Sequence, residues 1–227
     1  TAAATLAKYH SADTNRDGKL SLTELLRVIE LYNHRTGTVR DGLYHVDPTN
    51  TEDGCAPGAA GLVLSAAAGT TPDVLIGGAG DDTLIANRGQ DTLTGGAGAN
   101  TFVIALEGVN FNAYSTITDA KVGDKLRLKD KGNETFRAVK VILNNTAVFQ
   151  DYVNVVVAAA GDASINGAVG WFQFNGNTYV VESMHNDAFT FSFVDGTDLI
   201  VKLSGLVDLG NSTLVQNGSG APEILIR

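Results

Sequence analysis

A twelve-residue segment near the start of the chain has oxygen-bearing side chains at alternating positions. Six groups in this segment could bind a cation. Five are the side chains at positions 1, 3, 5, 9 and 12, which are Asp13, Asn15, Asp17, Ser21 and Glu24. The sixth is the backbone carbonyl of Lys19 at position 7. Gly18 allows a sharp turn between them. Calcium takes about six to eight oxygen ligands in flexible geometry, and this spacing arranges them around one point. The segment predicts a calcium (Ca²⁺) loop between two helices; the alternative is an ordinary turn in which Asp13 caps a helix.

A second pattern recurs every nine residues between Ala68 and Val103. Each repeat has an acidic or amide residue followed two places later by a large apolar one; the four pairs are Asp73 and Leu75, Asp82 and Leu84, Asp91 and Leu93, and Asn100 and Phe102. The second and fourth repeats also begin with a double glycine. This pattern is typical of a parallel β-roll, in which each repeat forms a loop and then a short strand. The apolar residues are expected to point into a narrow core.

The loops of such a roll offer a second kind of calcium site. Successive loops lie on opposite sides, so we expect loop 69–73 to lie against 87–91, and loop 77–82 against 95–100. The predicted ligands are side-chain oxygens and glycine-turn carbonyls of Asp73, Gly78, Gly80, Asp82, Gly89, Asp91, Gly96, Gly98 and Asn100. Because two repeats lack the double glycine and Asn100 lacks a charge, we expect two sites at most, the stronger in the 77–82/95–100 stack. The alternatives are a glycine-rich linker and a metal-free β-solenoid.

These motifs resemble known families. The nine-residue repeats resemble the RTX (hemolysin-type) repeats of proteins exported by type I secretion, and the twelve-residue loop resembles the dockerin-like EF-hands of bacterial surface proteins. Residues 116–119 and 123–128 are similar to the segment that closes an RTX roll. Residues 170–181 and 196–205 are similar to the C-terminal ends of type I-secreted surface-layer proteins. The resemblance implies an uncleaved export signal in roughly the last 60 residues, and hence an extracellular or cell-surface location.

The expected fold class is mainly β: a short parallel β-roll plus a C-terminal β domain, preceded by a small helical EF-hand segment. We place the domains at 1–60, 61–107 and 108–227. Helix is expected only within residues 1 to about 35, where one apolar face is formed by Leu22, Leu25, Leu26 and Ile29.

Two shorter stretches carry their own predictions. Residues 36–61 are rich in turn signals and are interpreted as a loop or linker. Asn175-Gly176, between two apolar runs, predicts a β-hairpin.

Composition narrows the possible functions. A net charge of −9 argues against a nucleic-acid partner, and 44% hydrophobic with 18% charged residues is too apolar for a disordered chain. Cys55 is the single cysteine, so an internal disulfide is impossible; we expect a small buried side chain, or alternatively an intermolecular bridge. No apolar run is long enough for a transmembrane segment. The sequence contains neither H-E-x-x-H nor G-x-S-x-G, and its four histidines are scattered, so we expect no catalytic activity.

The sequence thus favours a secreted calcium-binding structural protein of the cell surface, such as a surface-layer, filament or matrix component. We expect it to fold on binding extracellular calcium and then to self-associate, with the type I secretion machinery as its partner during export. The alternatives are the C-terminal calcium-binding and secretion module of a larger RTX enzyme, and an adhesin that binds glycan or ice.

Overall fold

The computed structural model describes residues 21–33, 35–36, 39–40, 44–46, 55–104, 110, 112–128, 135–159, 168–184, 192–216 and 222–227. The chain forms two compact units, Thr1–Ala60 and Gly61–Arg227. The predicted division into three domains stays a prediction. Four of the six ligands proposed for the twelve-residue loop lie outside the described residues: Asp13, Asn15, Asp17 and Lys19.

The first unit contains one described helix, α1 (Leu22–Tyr32). Its predicted apolar face is exposed to solvent, by 45% at Ile29 and by 72% at Leu22. Four short strands follow in two antiparallel pairs: β1 (Arg35–Thr36) with β2 (Val39–Arg40), and β3 (Tyr44–Val46) with β4 (Cys55–Pro57). The prediction of a loop or linker over 36–61 is therefore wrong in part, because strands of two or three residues are too short to show an alternating pattern.

The second unit opens with the β-roll. Its strands are β5 (Val63–Ser65), β6 (Val74–Gly78), β7 (Thr83–Ala86), β8 (Thr92–Gly96), β9 (Thr101–Ile104), β10 (Ser115–Ile117) and β11 (Lys125–Arg127). Alternate strands pair in parallel: β6, β8 and β10 form one sheet, while β5, β7, β9 and β11 form the other. Thr83 lies opposite Thr101, two repeats further on, so the expected stacking of every second repeat is confirmed.

The core of the roll is formed by the large apolar residue of each repeat. Leu84, Leu93 and Phe102 are fully buried, and Leu75 is 6% exposed. Ile117 and Leu126 continue the same two rows in β10 and β11. The mainly β fold with a parallel roll is confirmed, and the inward rows follow from the two-residue alternation of side chains along each strand.

Both sheets of the roll continue into the C-terminal region. The added strands are β12 (Thr135–Phe136), β13 (Ala168–Phe174), β14 (Asn177–Ser183), β15 (Leu199–Leu203), β16 (Thr213–Gln216) and β17 (Pro222–Leu225). One sheet has the order β12-β13-β14-β15-β10-β8-β6 and the other β16-β17-β11-β9-β7-β5. The predicted hairpin is confirmed as β13–β14, with positive φ angles of 45° at Asn175 and 77° at Gly176. Hydrogen-bonded sheets thus cross the predicted boundary at residue 107.

A second helix, α2 (Phe149–Ala159), corrects the prediction that helix is confined to residues 1–35. Its run of valines looks like a strand in sequence because β-branched residues favour β structure. Two features favour the helix instead. Asp151 accepts a hydrogen bond from the Val148 backbone N–H at its first turn (2.9 Å), and Val153, Val156 and Val157 form one buried face against β13 and β14.

Candidate metal centre

The loops of the roll stack into two ladders of hydrogen bonds, one on each side. In the first ladder, each backbone N–H reaches the side chain at the same place in the loop stacked next to it. Leu62 donates to Asp82 Oδ1 (2.7 Å), Asp82 to Asn100 Oδ1 (2.9 Å), and Asn100 to Asp124 Oδ1 (2.8 Å). The predicted neighbours 77–82 and 95–100 are therefore in direct contact.

The second ladder joins the other predicted pair of loops. The Asp73 N–H donates to Asp91 Oδ1 (2.9 Å), so loop 69–73 lies against 87–91 as expected. Here backbone donors reach both oxygens of Asp91 and one of Asp73, because Asp91 Oδ2 accepts from Asn87 N (3.1 Å) and Asp73 Oδ2 from Ala67 N (2.9 Å). This ladder ends at the neutral hydroxyl of Ser115, which lies 3.3 Å from Asp91 N.

Glycines allow the first-ladder loops to approach closely. A Cβ at Gly96 would lie 2.0 Å from the Gly78 carbonyl oxygen, and a Cβ at Gly98 would lie 2.3 Å from the Gly80 carbonyl oxygen. Both positions also have positive φ angles, 85° and 100°. A side chain at either position would force the loops apart, so the close approach of these two loops requires glycine at both positions.

Asp82 differs from every other carboxylate in these ladders. The residue is 1% exposed, and within the described part of the chain its Oδ2 atom has no hydrogen-bond partner. A Cβ built on Gly77 would lie 2.3 Å from this atom and 2.7 Å from the Gly95 carbonyl oxygen, so two oxygens border the same small space. A buried carboxylate oxygen without a donor is costly, and a bound cation would remove that cost.

Asn100 shows how the same place is satisfied without a cation. A Cβ built on Gly95 would lie 2.5 Å from Asn100 Nδ2, as one on Gly77 lies near Asp82 Oδ2. The Asn100 amide donates to the Gly96 carbonyl, with Nδ2 and O 3.4 Å apart. Asp82 has no side-chain N–H that could donate in this way, so among the described residues its Oδ2 stays unpaired where the Asn100 amide is paired.

The donor set suits calcium. Among the described residues, no three His, Cys, Asp or Glu side chains come together in a group that could hold a metal ion. A cation beside Asp82 must therefore take backbone carbonyls as well as carboxylate oxygen, a mixture that calcium accepts and that zinc, with its preference for nitrogen and sulfur, does not. Asp82 and the Gly95 carbonyl would hold it, while the remaining predicted roll ligands stay predictions.

Two carboxylates beyond the repeats bind the roll loops and were not among the site residues predicted from sequence. The Asp119 carboxylate accepts from the backbone N–H groups of Gly95 (2.9 Å) and Gly96 (2.7 Å). Asp124 is fully buried beneath Asn100, and burial raises the pKa of its carboxyl above the ordinary value, although hydrogen bonds and nearby Lys121 act in the opposite direction. Asp124 follows Asn100 by 24 residues, so the nine-residue period no longer points to it. The segment's resemblance to a roll-closing sequence was the available signal.

For the twelve-residue loop, the structure describes only Ser21 and Glu24. Glu24 is 8% exposed, and its Oε2 accepts from both the backbone N–H and the hydroxyl of Ser21, each at 2.8 Å. Glu24 N in turn donates to Ser21 Oγ (3.2 Å). This reciprocal pair is a capping box at the start of α1. It holds the two predicted ligands together, and the predicted calcium site there stays a prediction.

Comparison with known proteins supports the assignment of the roll. Residues 68–102 match the family of RTX calcium-binding nonapeptide repeats, in four copies. No curated protein matches the chain. The repeats are therefore of the RTX calcium-binding type, and calcium is confirmed as the expected cofactor. Neither of the helices in the described ranges is long and apolar enough to cross a membrane.

Proposed function

We propose that this chain is a secreted structural protein of the cell surface, exported by a type I machinery, that folds and self-associates on binding extracellular calcium. It would serve as a surface-layer, filament or matrix component and have no catalytic role. The observation that supports this best is the Asp82 carboxylate, buried in a stack of RTX repeats with one oxygen lacking a partner among the described residues.

Calcium can act here as a folding switch. Without the ion, folding must bury the unpaired oxygen of Asp82 beside the Gly95 carbonyl. That arrangement costs on the order of 1–3 kcal/mol, a large part of the stability of an ordinary domain. Extracellular calcium modules bind the ion at roughly 10⁻⁴–10⁻³ M, so the switch would be off in a cell interior and on outside.

Self-association is supported by the first strands of the roll. β5 and β6 each lie at the end of their sheet among the described strands. Three of their outward side chains are apolar and exposed: Val63 by 75%, Val74 by 70% and Ile76 by 65%. Edge strands of this kind pair readily with another chain. A second copy of the protein is the occupant we propose.

Chelation tests the proposal directly. We expect circular dichroism in EDTA to show a lower melting temperature, or loss of the β signal, compared with millimolar calcium, and magnesium to restore neither fully. Size-exclusion chromatography in the same buffers should show larger species only with calcium. An unchanged β signal and melting temperature after chelation would contradict the folding switch. A strict monomer in all conditions would remove the self-association and leave calcium binding intact.

A further inference from the structure

The last step of the first ladder contains a cation that belongs to the protein. The Lys121 ammonium donates to the Gly96 carbonyl (Nζ–O 2.8 Å) and lies 3.3 Å from Asp124 Oδ1. The backbone N–H of Lys121 also donates to Asp124 Oδ2 (3.0 Å). Lys121 therefore contacts a glycine-turn carbonyl and a buried carboxylate at once, which are the two kinds of oxygen that a calcium ion takes between stacked loops.

In this step, Asp124, Lys121 and the Gly96 carbonyl all have partners. Asp124 Oδ1 accepts from Asn100 N and Lys121 Nζ, and Oδ2 accepts from Lys121 N. The Gly96 carbonyl accepts from Lys121 and, more distantly, from the Asn100 amide. One step earlier, Asp82 Oδ2 has no partner within the described residues. The two steps share the bond from a backbone N–H to the next side chain along the ladder. They differ at the glycine carbonyl, because Gly78 O accepts from the Ala97 N–H (2.7 Å) and Gly96 O accepts from the Lys121 ammonium.

Charge explains the difference between the two steps. Asp124 is fully buried, and a buried carboxylate requires a counter-charge or several donors. Lys121 supplies the charge with a side chain that remains 42% exposed, so its ammonium is not itself fully desolvated. A divalent ion placed between Gly96 and Asp124 would have to displace this ammonium or be repelled by it.

We infer that Lys121 and Asn100 together replace calcium between loop 95–100 and the segment ending at Asp124, so that this step of the ladder selects against the metal. The inference rests on the proposed calcium binding and specifies the step of the ladder beyond which no calcium ion binds. Calcium binds on the side of loop 95–100 that faces Asp82, and the protein's own ammonium closes the other side.

Calcium stoichiometry tests the inference. The double variant Asn100→Asp/Lys121→Met restores a carboxylate and removes the ammonium while keeping most of the side-chain length. Isothermal titration calorimetry, checked by equilibrium dialysis, should show one calcium ion more per chain than in the wild type. Lys202→Met, which removes a lysine from β15, is the matched control and should leave the count unchanged. An equal count in the double variant and the wild type would overturn the inference.

Stability without metal gives a second readout. Lys121→Met leaves Asp124 buried without its ammonium, so its melting temperature in EDTA should fall by roughly 5 °C or more, and Lys121→Arg should restore most of it. If Lys121→Met does not fold in any buffer, the single variant Asn100→Asp tests the inference, because it keeps the Lys121 ammonium. An unchanged number of bound calcium ions then supports the inference, and an additional ion overturns it. A wild-type protein that binds no calcium would instead contradict the proposed function, and the EDTA melts would still test Lys121.

Discussion

The substitution Asp82→Asn separates two effects of Asp82 on the free energy of unfolding. One is the loss of stability from its unpaired oxygen in the metal-free protein, and the other is the gain of stability when it binds calcium. In the wild type, one buried carboxylate oxygen lacks a donor within the described residues. An asparagine at this place can turn its amide toward the Gly78 carbonyl, as Asn100 does toward Gly96 one step along the ladder. The backbone bond to Asp82 Oδ1 from Leu62 is kept, because the asparagine carbonyl oxygen also accepts. The variant therefore changes one buried atom from an unpaired acceptor to a paired donor.

The magnitude follows from that single atom. Relief of an unsatisfied buried polar group is worth about 1–3 kcal/mol. For a unit of this size about 1 kcal/mol changes the melting temperature by roughly 2–4 °C, so Asp82→Asn should melt about 2–12 °C higher than the wild type in EDTA. In saturating calcium this advantage should disappear or reverse, because the variant loses a charged ligand. Calcium at a hundred times its Kd adds about 2.7 kcal/mol to the free energy of unfolding of a protein that binds it, and a variant that does not bind gains none of this.

The assay is thermal unfolding followed by circular dichroism, in EDTA and in millimolar calcium, on the whole chain. Asp195→Asn is the matched control, since it makes the same change of charge at an exposed residue of the same unit. That control should shift little in either buffer. If Asp82→Asn is less stable than the wild type in EDTA, the unpaired oxygen is not a burden in the metal-free fold and the reasoning fails.

Two further substitutions test the roll. Gly98→Ala places a Cβ 2.3 Å from the Gly80 carbonyl oxygen and should lower the free energy of unfolding in urea by at least about 2 kcal/mol. The control Gly69→Ala, also at positive φ but with open space around it, should lower it by only about 1 kcal/mol. Equal losses would contradict the close-approach argument. Leu84→Ala removes a fully buried core side chain and should lower the free energy of unfolding by about 2–5 kcal/mol. The control Val63→Ala, at a 75% exposed position, should lower it far less. A small loss of stability in Leu84→Ala would mean that the roll core is loosely packed.

The regular repeats were the most predictable part of the fold. A nine-residue period fixes the inward residue and the loop glycines together, so the rows through Leu84 and Phe102 and the stacking of Gly96 on Gly78 could be predicted from spacing alone. The ends of the roll break that period. Leu64 lies opposite Leu84 at a separation of 20 residues, and Leu126 lies opposite Phe102 at 24. Both strands pack as the repeats do, but no periodic signal identifies them.

The candidate site was predictable only in part, because its chemistry depends on which groups remain unpaired. Sequence places Asp82, Asp91 and Asn100 at equivalent positions and predicts all three as ligands, with Asn100 set apart by its missing charge. The structure shows that backbone donors satisfy both oxygens of Asp91, while Asp82 keeps one oxygen unpaired among the described residues. Helix α2 was missed for a related reason: its valines favour strand locally, and burial against β13 and β14 overrides that preference.

Charge along the first ladder indicates where calcium dependence is concentrated. The three stacked side chains are a carboxylate at Asp82, a neutral amide at Asn100, and a carboxylate at Asp124 that is balanced by Lys121. Only the first of these needs a charge from outside the protein. Beyond Asp124, the C-terminal strands contain an apolar cluster of α2 with β13, β14 and β15, and also buried carboxylates at Glu182, Asp198 and Glu223. The asparagine that weakens the repeat as a calcium motif therefore lies at the step where Lys121 supplies the charge that balances the next buried carboxylate.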